Sequence, residues 1–486
     1  MVARGGAQLS CVLMIVSLVI AAAPLGFSGG GARSHRDRMA RRLETLIAPS
    51  SAADAPSISQ AKSGSRVYHV IDYGADPTGV ADSFAAISKA ISDAFADAAS
   101  GLSLIAGISN LGGVEVHLDG GVYVVTSPLT LPANGGNVKI HGGSLRAADD
   151  FPTDRYVIEL WAAHDSSAGG GASSSGYDYE YVTLRDLMLD SNYRGGGVAV
   201  VNSLRTSIDN CYIVHFTSDG VSVRSGHETF IRNSFIGQHI TAGNDPGEKN
   251  FTGTGINLAG NDNAVTDVVI FSAAIGILVS GQANTLTGVH CYNKAAGWGG
   301  TGIYLKLPGL TQTRITNCYL DYTGIVSEDP VQLHISGSFF LGDANVVLKS
   351  VNGVVKGVDI VDNMFSGSGK GVDIVRLDEP NGKFVNVDQV TVRRNSVSGM
   401  KARSTAARAT VEGNGTTWTV DFSPVLLFPG RIGHVQYTLL LADSAFPSHA
   451  LRNVTGNTVV IESDVAVQAT LHVEVDQGSG SMDGVF

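Results

Sequence analysis

Between Val182 and Ser366 one short pattern keeps returning: an aliphatic residue, then two places on Asn, Asp or Gly, then further apolar residues. Its aliphatic positions are Leu184, Ile208, Ile231, Val265, Leu286, Ile315, Ile335 and Ile360. The residues two places on are Asp186, Asn210, Asn233, Asp267, Gly288, Asn317, Gly337 and Asp362. The interval between repeats is roughly 20 to 34 residues, the range of stacked solenoid repeats. Each unit reads as a short β-branched strand ending in a residue that tolerates left-handed backbone. Such units bury their apolar face only by stacking, which predicts an all-β fold, a single-stranded parallel β-helix.

A solenoid grows along one axis, so 486 residues need not divide into several globular domains. The 60 glycines follow no three-residue period, which excludes collagen, and 43% apolar content argues against disorder. Tight corners account for the glycine, and buried strand ladders for the aliphatic residues. The formal charge of −11 argues against nucleic acid as a partner, which needs a basic face. It also opposes a polyanionic polymer unless basic side chains gather in one cleft.

Of four cysteines, Cys11 lies in an N-terminal apolar run, and Cys211, Cys291 and Cys318 fall in strand units. Cys211 and Cys318 share a column several coils apart, too far to bridge. Cys291 and Cys318 fall on adjacent coils, which leaves one disulfide open beside the simpler role of small buried apolar residues. No metal-ligand spacing appears among them, and no metal or cofactor is expected.

Residues 1–28 combine Arg4, the apolar run Cys11–Ile20 and the small residues Ala21–Ala23, which predicts a secretory signal peptide. The run is short for a span, so cleavage is preferred to a retained anchor, with no stable membrane insertion afterwards. Residues 29–66 are basic and then Ser/Ala/Pro-rich, the composition of a poorly ordered leader. Sequons at Asn250, Asn414 and Asn453 fit an N-glycosylated extracellular chain.

The β-helix is expected over residues 67–405, opening with a strand at Val67–Ile71. An amphipathic helix then places Ile87, Ala90, Ile91, Ala94 and Phe95 on one face, suited to covering the end of a solenoid core. From 406 to 486 longer strands around Trp418, Tyr437, Ile461 and Val473 predict a small antiparallel unit. Capping the far end is its first expected role, and carbohydrate contact its second.

The stretch Asp72-Tyr73-Gly74-Ala75-Asp76-Pro77-Thr78-Gly79, with Asp82-Ser83, resembles an N-terminal signature of plant polygalacturonases and the wider pectin-lyase-like superfamily. Ser225-Gly226-His227-Glu228-Thr229-Phe230-Ile231-Arg232-Asn233, Gly237-Gln238-His239-Ile240, Gly260-Asn261-Asp262-Asn263 and Leu310-Thr311-Gln312-Thr313-Arg314 are similar to Quartet-type plant polygalacturonases. The resemblance runs from about Tyr68 to the C-terminus. It implies a right-handed parallel β-helix of glycoside hydrolase family 28, secreted to the plant cell wall and associated with pollen development. The implied partner is pectic polysaccharide, cut at its α-1,4-galacturonan (homogalacturonan) backbone. A monomer is expected.

Hydrolysis of that kind needs carboxyl groups on both sides of the glycosidic bond, one to protonate the leaving oxygen and one or two to direct water. In an inverting enzyme they stand about 6.5 to 9.5 Å apart. Coils stack about 4.8 Å apart, so acids one or two coils apart reach that separation. The resemblance matches Thr217-Ser218-Asp219-Gly220 to the family's Asn-Thr-Asp-Gly turn, which makes Asp219 the first carboxylate. It sets Gln238-His239-Ile240 where a paired Asp-Asp is usual one coil on, and Gly253-Thr254-Gly255 where a Gly-His-Gly is usual. Arg314-Ile315-Thr316 keeps the first two residues of an Arg-Ile-Lys triplet.

Position nominates Asp190 or Asp245 as the second acid, His239 as a proton relay, and His227 and Glu228 as further catalytic candidates. The competing role for each acid is to satisfy backbone at a corner. Arg194, Arg224, Arg232, Lys249 and Arg314 are the cations available to a galacturonate carboxylate. Two alternatives accompany the hydrolase: a catalytically impaired pectin-binding β-helix, and a pectate or pectin lyase acting by β-elimination.

Overall fold

The computed structural model describes residues 66–96, 103–162, 176–240, 247–444 and 446–478. The expected signal peptide, nearly all of the leader, most of the Gly/Ser stretch 169–176 and Asp245 lie outside the described residues.

The repeat residues stand in one ladder. Leu184 pairs in register with Ile208, Ile208 with Ile231, Ile231 with Val265, and so on through Leu286, Ile315, Ile335 and Ile360 to Val392. Every one of these side chains is fully buried. Burial of each contributes about 1.5–3 kcal/mol, so the ladder is a principal source of stability. Two residues on, all eight corner positions have φ between +51° and +65°. Asn, Asp and Gly recur there because they adopt left-handed backbone at the least cost.

After that corner the chain enters a second face, whose inward ladder includes Ile213, Ile236, Ile270, Cys291 and Leu320. A loop of variable length leads to a third face, laddered by Ile158, Val198, Val221, Ile256, Ile277 and Ile303. The result is a right-handed parallel β-helix, with 33 strands among the described residues from Val67–His69 to Ser396–Ser398.

The third face carries a feature of its own. Gly220, Gly255, Gly276 and Gly302 each precede an inward ladder residue, as do Gly197 and Gly324. A Cβ on Gly220 would lie 2.5 Å from Ile236 Cγ2 and 2.7 Å from the Gly255 carbonyl oxygen. Close approach of successive coils therefore demands glycine along this line.

At the N-terminal end the helix Phe84–Ala96 buries Ile87, Ala90, Ile91 and Ala94 against the first coils. At the other end Ala406–Asp421, His434–Leu441, His449–Thr455 and Thr458–Asp476 form an antiparallel sheet with its own core around Trp418, Ile461 and Leu471. Its connecting segment sends Leu427 and Phe428 into the β-helix core. Cys211, Cys291 and Cys318 are buried free thiols, so no bridge joins Cys291 to Cys318. Burial pushes the Cys211 thiol up to about 12 and leaves it inert.

Candidate active site

Asp219 opens the strand Asp219–His227 on the third face, and what surrounds it follows from register. Along this face the outward positions of successive coils are Glu159, Ala199, Ser222, Asn257, Leu278 and Tyr304. Asn257, one coil on, donates its side-chain N–H to Asp219 Oδ2 at 3.2 Å. Tyr156 reaches the same oxygen from two coils back, donating its hydroxyl at 3.2 Å. It spans that distance because its register partner is Gly196, where a Cβ would lie 2.3 Å from the Tyr156 ring. Among the described residues Oδ1 of Asp219 accepts no hydrogen bond.

Arg224, on the same strand, donates Nη2 to the Tyr156 hydroxyl at 3.3 Å and Nε to Ser222 Oγ at 3.2 Å. Its guanidinium lies 6.0 Å from the centre of the Trp161 ring, and that of Arg155 lies 5.9 Å from the same ring. The two arginines differ in one respect. Arg155 holds the fully buried Glu159 with Nε to Oε1 at 2.9 Å and Nη2 to Oε2 at 2.5 Å. Arg224 is exposed and, among the described residues, pairs with no carboxylate. Burial, reinforced by the Asp219 charge, raises the Tyr156 phenol and keeps it a donor.

The loops that lead onto this face carry a second cluster. Asp190 Oδ1 meets His215 Nδ1 at 2.7 Å. Tyr193 packs against His215, rings tilted at 34° and 4.7 Å between centroids, and meets His239 Nδ1 with its hydroxyl at 3.2 Å. His239 in turn stacks on Phe251 at 4.8 Å. The loop of His215 runs straight into Asp219, and the Ser218 carbonyl accepts the Thr254 N–H at 2.9 Å. Asp190 and His239 thus share one cluster through Tyr193 and His215, and its loops form the rim at which the Asp219 face begins.

Register corrects the expected alignment of the coils. Asp219 pairs with Thr254, and Thr254 with Ile275. Gly253-Thr254-Gly255 therefore stands one coil after Asp219, and Ala274-Ile275-Gly276 two coils after. Gln238-His239-Ile240 belongs to the intervening loop. There the buried Gln238 takes the Thr252 N–H on its Oε1 at 3.0 Å, closing the loop's base.

The remaining candidates are dispersed. His227 pairs with Asp262 at 2.9 Å, and Glu228 with Arg205 at 2.9 Å, both at the corner leaving the third face. Arg232 lies on the first face near Asp209, and Arg194 donates to the Phe151 carbonyl at 2.9 Å. Lys249 is exposed in the short turn of helix Glu248–Asn250. Arg314 lines a broad concavity of about 730 Å³ on the first face with Gln312, His334 and Asp359. That concavity is far in register from Asp219, and its only lining carboxylate, Asp359, faces His334 at 3.7 Å. The third face, with an acid, a donor-rich surround and an available cation, is the better candidate. Tyr156, Arg155, Glu159, Trp161 and Asn257 belong to it and His215 to its rim, and the sequence reading missed them. For Asn257 the recurring Gly-aliphatic-x-aliphatic run was the available signal, since x points outward on that face.

Comparison with known proteins agrees with this architecture. Residues 67–319 match the family model described as rhamnogalacturonase A/epimerase, pectate lyase-like. The chain is 58% identical over 476 residues to polygalacturonase QRT3 of Arabidopsis thaliana, covering 96% of this chain and 97% of that protein. Among solved structures, ORF18 of Geobacillus virus E2 superposes with a TM-score of 0.53 at 13% identity, over 90% of this chain and 80% of that one, a likeness of fold alone. By the family match and the near full-length identity, this chain belongs to the rhamnogalacturonase A/epimerase group of pectate lyase-like proteins.

Proposed function

We propose that the protein is a secreted glycoside hydrolase that cuts the α-1,4-galacturonan backbone of pectic polysaccharide in the plant cell wall. The observation that carries this reading is Arg224, an exposed cation set against Trp161 and two positions from Ser222, on the strand that begins with Asp219. An aromatic face suits a sugar ring, and a guanidinium without a carboxylate suits the uronate charge. Arg224 supplies one local positive charge on a chain whose net charge is −11. The 58% identity to a protein named a polygalacturonase supports the same substrate class.

Asp219 serves as the base. Tyr156 and Asn257 hold Oδ2, which leaves Oδ1 for an attacking water. A water there loses its proton to Asp219 as it attacks the anomeric carbon. The leaving oxygen takes a proton from a second acid, for which Asp190, held by His215 on the loop rim, is the described candidate and Asp245 the other by sequence. The sequence features of residues 1–28 and the exposure of Asn250, Asn414 and Asn453 support an extracellular, glycosylated protein.

One observation favours a second reading, a pectin-binding β-helix with little turnover. The coils after Asp219 present Thr254 and Ile275, leaving one carboxylate where the resemblance implies several. Release of reducing ends from polygalacturonate by the purified chain separates the two. Hydrolysis is expected, and stronger on free than on fully methyl-esterified polymer. Binding with no release would support the second reading.

A further inference from the structure

Three side chains far apart in sequence converge beside the first coils, away from the Asp219 face. His69, His117 and His141 are register partners on successive strands, a column of imidazoles about 4.8 Å apart along the stack. Asp119 follows two residues after His117, in a turn fixed by the Gly121 N–H and the Tyr123 hydroxyl, both donating to the Leu118 carbonyl. Its own backbone is left-handed, with φ of +51°.

His69 Nδ1 lies 2.6 Å and His117 Nδ1 2.8 Å from the same oxygen, Oδ1 of Asp119. The other oxygen, Oδ2, is buried and has no hydrogen-bond partner among the described residues. One carboxylate oxygen thus takes two imidazoles while its twin takes nothing. The Asp119 backbone N–H also points at His117 Nδ1, at 3.3 Å, as to a lone pair. That nitrogen cannot at once donate to Oδ1 and accept the Asp119 N–H, whereas a cation between ring and carboxylate needs no ring proton there.

We propose that His69, His117 and Asp119 form a binding site for a zinc-class divalent ion. The ion would use Nδ1 of both rings, an Asp119 oxygen and one solvent position. Two imidazoles and a carboxylate suit such ions, and the three ligand atoms already lie within 4.8 Å of one another. Ligand atoms about 2.0 Å from a tetrahedral centre stand about 3.3 Å apart, so occupancy opens the present contacts by roughly half an ångström. Each ring would bind through an unprotonated Nδ1, with its proton on Nε2. The side chains are 42%, 32% and 16% exposed, so an ion can reach the site without unfolding. Gly142 keeps the place of the His117 ring, since a Cβ there would lie 2.8 Å from Nε2. Among the described residues the strand Val67–His69 pairs only with Ser109–His117, so a bound ion would tie this strand more firmly to the helix.

The test uses the full, tag-free chain, stripped of metal and titrated with zinc by calorimetry. One saturable equivalent is expected, lost in His69→Gln and Asp119→Asn and retained in His227→Gln, which disrupts a separate His–Asp pair. Zinc is expected to raise the melting temperature of the wild type but not of Asp119→Asn, and magnesium to raise neither. No saturable binding, or an unchanged equivalent in Asp119→Asn, would overturn the proposal. Should the variants fail to fold, X-ray absorption of the zinc-loaded wild type decides. Two imidazole nitrogens with oxygen are expected, and a shell of water or sulfur would overturn it.

Discussion

Two donors share Oδ2 of Asp219, and each can be removed without touching the acid. Hydrogen bonds to charged groups contribute about 1.5–3 kcal/mol, so Tyr156→Phe is expected to lower kcat by roughly tenfold or more. KM should barely change, because Tyr156 contacts the acid and Arg224 rather than standing free in the groove. Arg224→Ala should do the reverse. Loss of the uronate partner is expected to raise KM about tenfold on polygalacturonate, with a smaller effect on methyl-esterified polymer. Steady-state kinetics on both substrates check the pair. Equal losses in kcat and KM from the two variants would mean that neither residue has the role given to it.

The line of glycines on the third face makes a prediction about elements. A Cβ at Gly255 lies 2.7 Å from both the Gly276 carbonyl oxygen and Ile270 Cγ2, so Gly255→Ala is expected to cost about 1–3 kcal/mol in chemical unfolding. Met364→Ala, on an outward position, should stay within about 0.5 kcal/mol. Acid sensitivity is local too. Asp76 accepts the Thr78 hydroxyl and the N–H groups of Thr78, Val80 and Ala81, which hold its carboxyl well below its ordinary value near 3.8. A depressed carboxyl contributes stability that is present above the ordinary value and lost as pH falls toward the folded one. Asp76→Asn should therefore melt earlier than wild type at neutral pH. The gap should narrow as the pH falls from about 4 to 2.

Elements of this kind explain what was legible in the sequence. Leu184, Ile208 and their successors are held to aliphatic residues by full burial, and Asp186, Asn210 and theirs by left-handed backbone, so both columns show without coordinates. The site was less legible because the loops between the second and third faces vary in length. Counting motifs put His239 one coil after Asp219, whereas register puts Thr254 there and leaves His239 in the loop. Residues such as Tyr156 and Asn257 meet Asp219 only through stacking, and nothing near Asp219 in sequence announces them. His69 and Asp119 are 50 positions apart, beyond any local spacing rule.

At the scale of the molecule, a solenoid must cover both ends of a core that its own strands leave open. The helix Phe84–Ala96 covers one end. At the other, Leu427 and Phe428 reach in, while the Phe428 N–H bonds Gln477 Oε1 at 3.0 Å and the Gln477 N–H bonds the Thr405 carbonyl at 2.7 Å. Phe428→Ala is expected to cost about 3–5 kcal/mol, as large buried aromatics do, and to expose the last coils to proteolysis before the first. The activity proposed for the molecule depends on one acid placed by this scaffold. The most direct measurement is the initial rate of reducing-end release from polygalacturonate by wild type and Asp219→Asn, with polymer binding measured on the same preparations. The account predicts that release falls at least about a hundredfold in the variant while binding and melting temperature are retained. Turnover by Asp219→Asn at the wild-type rate would contradict it.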